Sequence, residues 1–284
     1  MKTYNGILIG CGVFSIACGP QYCPRTDGGR CTDVLAASGS VARDGASRGT
    51  AAQPNSLTDA EQRGGWRLLF DGRTFDGWRG LGYDTVPTAH WKIEHGAIRK
   101  LAYGDVPRLP DGQPAAGGDL MTVDTFRDFE LSWEWKISRA GNSGVKYNVS
   151  EEISMANAPN HAALGFEYQM LDDSLHEDNK VPSHRAGALY DLIPPSADKT
   201  LAPVCEWNSS RIVFRGNHGE HWLNGMKVVE YELGSPEIAT ALAASKFKTI
   251  PWFAERRTGH IVLQDHGDEV YFRNIKIREL HVAR

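Results

Sequence analysis

Residues 206–231 combine three predicted strands with a dense set of hydrogen-bonding side chains. The polar and aromatic members of this stretch include Glu206, Asn208, Arg215, Asn217, His218, His221 and Trp222. A stretch with only a structural role would not need them, whereas a pyranose presents hydroxyl groups at its rim and C–H groups on its face. The pattern therefore favours a saccharide ligand, with Asn208 and Arg215 orienting hydroxyl groups and Trp222 stacking on a sugar face.

A second motif has the spacing Glu167-x-Gln169-x-x-Asp172. Alternation places Glu167 and Gln169 on the polar face of a predicted strand. Laminarinase-type retaining glycosidases use E-x-D-x-x-E, in which two ionisable carboxyl groups lie roughly 5 Å apart. Gln169 cannot ionise and Asp172 is one methylene shorter than glutamate, which disfavours that mechanism. Glu167 remains a candidate acid–base catalyst and Gln169 a candidate substrate ligand; the alternative is that both are solvated strand residues.

His221 is a candidate base and a candidate metal ligand, three residues after His218. A single H-x-x-H spacing is a weak metal signal, and the alternative is a hydrogen-bonded structural histidine. Glu134 and Glu167 complete the set of candidate ligands for a divalent metal. The sequence leaves the presence of any metal open.

The segment Gln264-Asp265-His266 follows a predicted strand, where loops would form the rim of a cleft. His266 is the third candidate catalytic residue, beside Glu167 and His221. Gln264 and Asp265 are candidate substrate ligands. The alternative for Asp265 is a side chain that caps the turn.

Alternating apolar and polar residues predict the strands that must position these groups. The pattern extends over residues 129–137, and the last strands are predicted at 260–265 and 270–279. One helix is predicted from Pro236 to about Ala244, with Ser235 as its N-cap. Many short strands, one short helix and no alternation of strands with helices predict an all-β sandwich.

Six segments, two of which include the motifs described above, match the motifs of one family in the right order. They are residues 69–78 (L-F-D-G-R-T-F-D-G-W), 141–145 (G-N-S-G-V), 167–172 (E-Y-Q-M-L-D), 186–190 (A-G-A-L-Y), 263–267 (L-Q-D-H-G) and 272–275 (F-R-N-I). From about residue 64 to the end, the chain resembles the 3-keto-disaccharide hydrolase domain family. The resemblance implies a concanavalin/laminarinase-like jelly roll whose concave sheet holds the ligand. It also implies that Asn142, Ser143 and Tyr190 bind substrate; the alternative for residues 142–144 is a tight turn that leads into a strand.

The resemblance implies a glycoside already oxidised to a ketone at carbon 3. The ketone acidifies the hydrogen on carbon 2, which Glu167, His221 or His266 could remove as a base of matched pKa. The glycosidic oxygen on carbon 1 then leaves by β-elimination, and water adds afterwards. A divalent metal or another cation could hold the enolate charge. The alternatives are a non-catalytic carbohydrate-binding module and, less favoured, a retaining glycosidase.

The N-terminal region predicts export rather than part of the fold. Lys2 and a short apolar run at residues 7–17 indicate a signal peptide over residues 1–18, with Cys18 as a candidate lipid anchor. The protein is then a periplasmic or cell-surface lipoprotein, or secreted, and membrane attachment occurs only through a lipidated Cys18. The alternative is a misassigned start or an unstructured leader. The formal net charge of −4 and the lack of a basic block exclude a nucleic-acid partner.

Residues 19–63 have few large apolar side chains and predict a disordered tether, followed by one domain over residues 64–284. Cys23 and Cys31 fall in the tether, where a disulfide between them is open, and Cys205 lies alone in the domain. No C-x-x-C pair is present, which disfavours a structural zinc site.

Overall fold

The computed structural model describes residues 30–31, 53–156, 162–250 and 252–280. The strands within these residues are β1 (Arg67–Leu68), β2 (Trp78–Gly80), β3 (Trp91–Glu94), β4 (Ala97–Lys100), β5 (Leu120–Thr122), β6 (Phe129–Ile137), β7 (Asn142–Val149), β8 (Phe166–Leu171), β9 (Asn208–Arg215), β10 (His218–Leu223), β11 (Met226–Glu232), β12 (His260–Leu263) and β13 (Val270–Glu279). They pair antiparallel in two sheets. The larger has the order β11-β10-β9-β6-β13-β4-β3 with β1 beside β13, and the smaller has the order β2-β5-β12-β7-β8. The predicted all-β jelly-roll sandwich is confirmed.

The core lies between the inner faces of the two sheets. On β6 the apolar side chains are buried there, and the ring of Trp133 meets the ring of Tyr168 on β8 edge-on, with centroids 4.9 Å apart. Burying each such large side chain stabilises the fold by roughly 1.5–3 kcal/mol. Because side chains alternate along a strand, the polar residues of β6 and β8 face away from this core. The predicted alternation of both strands is confirmed.

Within the described residues, three α-helices accompany the sheets: α1 (Asp59–Arg63), α2 (Glu151–Ala156) and α3 (Pro236–Ala244). The predicted helix is confirmed as α3, whose N-cap Ser235 accepts a hydrogen bond from the backbone N–H of Ile238. The sequence analysis missed α1 and α2, which are only 5 and 6 residues long. None of the helices in the described part of the chain has the length and apolar character needed to span a bilayer.

The N-terminal region contributes to the fold before residue 64, which differs from the predicted tether. Cys31 is buried and forms a disulfide with Cys205. The side chain of Asn55 donates to the carbonyl of Gly96 at 2.7 Å, and α1 has a complete capping box at Thr58. A Cys23–Cys31 disulfide is therefore wrong, because Cys31 is already bonded. The sequence could not reveal this pairing, since the two cysteines are 174 residues apart.

We expect the Cys31–Cys205 disulfide to stabilise the native protein. Its closed loop is long, so the double variant Cys31→Ser/Cys205→Ser should lose about 2–4 kcal/mol of unfolding free energy. Urea denaturation of wild type and variant, each with and without reductant, measures this. Reductant should weaken only the wild-type protein. A wild type unaffected by reductant would contradict the assignment of this disulfide.

Candidate active site

The outer face of β7 and β8 holds two buried charged side chains opposite one another. Lys146 and Glu167 are register partners, with Lys146 Nζ 3.8 Å from Glu167 Oε2. Gly144 makes room for the carboxylate, because a Cβ at this position would lie 2.4 Å from Glu167 Oε1. The ammonium of Lys146 also donates to the carbonyl of Ala163 at 3.1 Å. The glycine of the sequence motif is thus required by the glutamate on the neighbouring strand.

The environment of Glu167 favours the protonated form of its carboxyl group more than water does. Burial raises the pKa of Glu167 above its ordinary value, while the positive charges of Lys146 and Lys246 act in the opposite direction. Burial disfavours the ionised form because water no longer solvates it. A carboxyl group with a raised pKa is the type of group that enzymes use as a general base or acid.

A row of amide side chains forms the floor beside Glu167. Gln169 donates from Nε2 to Asn142 Oδ1 at 3.1 Å, and Asn142 donates from Nδ2 to Asp178 Oδ2 at 3.3 Å. Gln264 joins the row because its backbone N–H donates to the carbonyl of Gly144 at 3.0 Å. The Oε1 atoms of Gln169 and Gln264 are both buried and have no hydrogen-bond partner within the described residues. Two unpaired acceptors on one floor suit a ligand that brings hydroxyl donors.

Tyr190 forms a wall of the site, and its backbone N–H donates to the carbonyl of Glu167 at 3.0 Å. Its ring stacks on His184 with centroids 4.5 Å apart, and the Lys246 ammonium lies 4.2 Å from the ring centroid. Desolvation raises the pKa of the Tyr190 phenol, helped by the negative charges of Glu167 and Asp178. Tyr190 therefore stays protonated and can donate a hydrogen bond.

His266 is exposed at the rim of this site, with its ring centroid 6.4 Å from that of His176. Partial desolvation lowers the pKa of His266, and the negative charges of Asp268 and Asp178 oppose that shift. Asp178 is the same residue that accepts from Asn142. His266 and the amide floor thus share Asp178 as a neighbour, and the catalytic role of His266 stays a prediction.

His221 does not belong to this site. It is fully buried between the sheets, where Nδ1 faces the carbonyl of Gly187 at 3.1 Å and Nε2 faces the Tyr147 hydroxyl at 3.0 Å. Desolvation lowers the pKa of His221 to about 4. The predicted catalytic and metal-binding roles are wrong. The alternative of a hydrogen-bonded structural histidine is correct, because on β10 this position faces the core.

Ser143 and Asp265 are also committed to structural contacts. Ser143 is buried, and its hydroxyl donates to the carbonyl of Gln264 at 3.0 Å. Asp265 pairs with the buried ammonium of Lys100 and with His90 Nδ1, each at 2.8 Å, and accepts from the backbone N–H of Gly267. Ser143 is fully buried and has no surface for a substrate, which contradicts its predicted role. Asp265 caps the turn, as in the alternative, and its substrate-binding role stays a prediction.

The candidates from residues 206–231 lie on the larger sheet, away from Glu167. Trp222 projects from the outer face of β10, where its ring packs 4.1 Å from the Arg211 guanidinium. Arg215 is at the exposed end of β9. Asn208 is buried, accepts from the backbone N–H of Ala202 at 2.9 Å and lines a cavity of about 350 Å³ beside Trp135. Trp222 and Arg215 therefore do not share a face with Glu167, because alternation identifies a face of a strand but not the sheet to which it belongs. The cavity beside Asn208 borders Asp172 at the end of β8.

The three candidate metal ligands do not form one site. Glu134 pairs with Arg273 at 2.7 Å on the outer face of the larger sheet, His221 is in the core and Glu167 is on the smaller sheet. Within the described residues, the group with metal-like spacing is His218, Glu220 and Glu230. There Lys227 Nζ already contacts both carboxylates, at 3.4 and 2.6 Å. A metal requirement stays a prediction.

The sequence analysis missed three residues of the site: Lys146, His184 and Lys246. Lys146 had a usable signal, since the alternation of β7 places it on the polar face opposite Glu167. His184 and Lys246 lie on short 3-10 helices, at Pro182–His184 and Lys246–Thr249. Only tertiary packing brings these helices to the strand.

The protein is thus a two-sheet β-sandwich that carries a polar, partly desolvated site on the outer face of its smaller sheet. Residues 65–278 match the 3-keto-alpha-glucoside-1,2-lyase-like domain family. The chain therefore belongs to that family. It is 35% identical over 249 residues to the 3-keto-disaccharide hydrolase of Bacteroides thetaiotaomicron, covering 81% of this chain and 83% of that protein.

Two crystal structures of proteins from Parabacteroides distasonis, provisionally assigned as glycosyl hydrolases, are also similar. The first is 32% identical with a TM-score of 0.68, and covers 81% of this chain and all of that one. The second is 28% identical with a TM-score of 0.56, and covers 76% of this chain and 99% of that one. These relatives place the chain among carbohydrate-active proteins.

His221 should make the native protein sensitive to acid. Its pKa falls from about 6.5 in the unfolded chain to about 4 in the native state, so the unfolded state takes up its proton first as the pH falls. Stability from this residue is complete above pH 6.5 and declines by about 3 kcal/mol as the pH falls through 4. His221→Gln should unfold more easily at pH 7 yet lose less stability between pH 6.5 and 4. Urea denaturation across this range measures both, and parallel pH curves would contradict the buried neutral histidine.

Proposed function

We propose that this protein cleaves the glycosidic bond of 3-keto-glycosides, with Glu167 as the base that removes the proton from carbon 2. One observation carries the proposal: a buried carboxyl group of raised pKa lies on the motif strand, with the Lys146 ammonium 3.8 Å away. Membership of the 3-keto-alpha-glucoside-1,2-lyase-like family supports this substrate class.

The reaction needs one base, one group that protonates the leaving oxygen and one cation near the ketone. Glu167 takes the proton from carbon 2, and the electron pair forms an enolate with the oxygen on carbon 3. The carbonyl then re-forms as the bond between carbon 1 and the glycosidic oxygen breaks, leaving a double bond between carbons 1 and 2. His266, when protonated, gives its proton to the departing oxygen. Water then adds across the double bond: its hydroxyl bonds to carbon 1 while His266 takes its proton, Glu167 releases the abstracted proton to solvent, and a solvent proton bonds to carbon 2.

The amide floor supplies orientation in this proposal. The unpaired Oε1 atoms of Gln169 and Gln264 accept hydrogen bonds from sugar hydroxyl groups, and Asn142 fixes the Gln169 amide through its Oδ1. Tyr190 donates its phenolic proton from the wall. Fixed partners of this kind raise the rate because the substrate is held close to its reacting geometry.

Two residues disfavour a retaining glycosidase mechanism: Gln169, which cannot ionise, and Asp172, whose carboxylate is engaged by backbone N–H groups. The Asp172 carboxylate accepts from the backbone N–H of Ala140 at 2.7 Å and from that of Ser174 at 3.0 Å. It therefore holds a turn at the end of β8 rather than serving as the second catalytic carboxyl. An elimination needs no second carboxylate, which agrees with this arrangement.

We also propose that the protein is exported. The buried Cys31–Cys205 disulfide supports this location, because such bonds persist mainly in oxidising compartments. The predicted signal peptide and Cys18 lie outside the described residues, so lipidation of Cys18 stays a prediction. Mass spectrometry of the exported protein tests it: loss of residues 1–17 and a lipid mass on Cys18 support the anchor, and an intact Met1 in the cytosol overturns export.

Glu167→Gln should lower turnover of methyl 3-keto-α-D-glucopyranoside by about 10²-fold or more, because glutamine cannot accept the carbon 2 proton. The fold should persist, since the amide fits the same space and avoids burying an ionised group. Release of methanol measures turnover, and thermal unfolding checks the fold.

Glu134→Gln is the matched control. It removes a carboxylate from the outer face of the larger sheet and should leave turnover unchanged, with a stability change of about 1 kcal/mol or less. Wild-type turnover in Glu167→Gln removes that residue from catalysis. Saccharide binding without cleavage by the wild type supports a carbohydrate-binding module instead.

A further inference from the structure

Lys246 is held at the edge of the site by its backbone. It begins the 3-10 helix Lys246–Thr249, whose N-cap Ser245 accepts from the backbone N–H of Phe247 at 3.1 Å. The backbone N–H of Lys246 donates to Asp191 Oδ2 at 2.8 Å, and Asp191 Oδ1 pairs with His184 Nε2 at 3.1 Å. Asp191 therefore links the helix that carries Lys246 to the histidine stacked on Tyr190.

The Lys246 ammonium has aromatic neighbours but no acceptor. Its Nζ lies 4.2 Å from the Tyr190 ring centroid and 5.3 Å from that of Phe247. Within the described residues it makes no hydrogen bond or ion pair. Lys146 differs, because its ammonium already faces Glu167 and the carbonyl of Ala163. Of the two lysines that act on the pKa of Glu167, Lys246 is the one whose ammonium has no hydrogen-bond or ion-pair partner within the described residues.

The charge of this ammonium is sensitive to its surroundings. Lys246 is exposed as a residue, and partial desolvation of its ammonium lowers its pKa, while the negative charges of Glu167, Asp191 and Asp178 oppose that shift. An anion arriving next to the ammonium would favour its protonated form. An enolate oxygen is such an anion, since it carries the charge that the carbon 2 proton leaves behind.

A ketone and a hydroxyl group differ in what they can do in this site. A hydroxyl group donates and accepts hydrogen bonds, whereas a ketone oxygen only accepts. The amide floor presents the acceptors Gln169 Oε1 and Gln264 Oε1, which a ketone cannot satisfy. The ketone must therefore face a donor elsewhere in the site. The Tyr190 phenol is a neutral donor, whereas the Lys246 ammonium is a charged one that can also balance the charge of an enolate.

We propose that Lys246 donates to the oxygen on carbon 3, and by this contact selects the oxidised sugar over its parent glycoside and stabilises the enolate. This inference rests on the proposed function, because it assigns the group that recognises the ketone in that reaction. A charge-assisted hydrogen bond to an oxygen whose charge develops in the transition state acts on turnover as well as on binding.

The test compares Lys246→Met with Lys248→Met in the full chain. Lys248 is an exposed lysine on the same 3-10 helix and makes no ring or ion-pair contact within the described residues. Both variants also carry Glu167→Gln, so that the sugar is bound but not consumed. Calorimetry gives the dissociation constants of methyl 3-keto-α-D-glucopyranoside and of methyl α-D-glucopyranoside, and circular dichroism checks the fold.

Lys246→Met should reduce the preference for the keto sugar by about ten-fold or more, and Lys248→Met should leave it unchanged. Lys246→Arg should restore part of the preference, because it keeps the charge and the donors. With Glu167 intact, Lys246→Met should lower turnover by about 10²-fold. An unchanged preference in Lys246→Met, or an equal loss in Lys248→Met, overturns the inference.

The binding ratio separates this inference from the proposed function. If the wild type binds the keto sugar preferentially but does not cleave it, the proposed function fails while Lys246 is still tested. If cleavage depends on Glu167 but neither preference nor turnover depends on Lys246, only the inference about Lys246 fails.

Discussion

Strand β8 must place its apolar side chains in the core, and that requirement puts Glu167 and Gln169 on its other face. The core contact is direct, since Tyr168 between them packs against Trp133 of the opposite sheet. A shift of one residue in register would bury both polar side chains in an apolar core and expose Tyr168. The position of the candidate base is thus fixed by the same packing that closes the sandwich.

The cost of this arrangement falls on Glu167. Removing a carboxylate from water disfavours its ionised form, and nearby positive charge only partly compensates. A protein selected only for stability would place a neutral side chain there. The two orphan amide oxygens of the floor have the same character, because each lacks the partner that a stable interior requires. A buried carboxyl group and unpaired polar oxygens on one face are unfavourable for stability but typical of a site that binds a polar ligand.

The sequence could predict faces of strands but not which strands come together. Alternation placed Glu167 and Gln169 on one face, and both belong to the site. Alternation also placed Trp222 and Arg215 on a polar face, but that face is the outer face of the larger sheet, whereas Glu167 lies on the smaller sheet. His221 failed for a different reason, because a histidine facing a core looks the same in sequence as one facing a cleft.

Local sequence patterns could not predict contacts between residues that are far apart in the chain. The Cys31–Cys205 bond and the Asp191 bridge to Lys246 join segments that are 174 and 55 residues apart. Family motifs supplied what local periodicity could not, since they marked Tyr190 and the 264–266 segment before any packing was known. They also marked Ser143 and Asp265, which are motif residues with structural roles.

The central claim is that the bond to carbon 1 breaks only after a proton leaves carbon 2. Cleavage of a 3-keto-glycoside in D₂O tests it directly, with the released keto sugar examined by mass spectrometry and proton NMR and an enzyme-free incubation as the reference for spontaneous exchange. Elimination followed by addition of water predicts one deuterium on carbon 2 of each product molecule. A product that retains hydrogen on carbon 2 at the level of the enzyme-free reference would contradict the account.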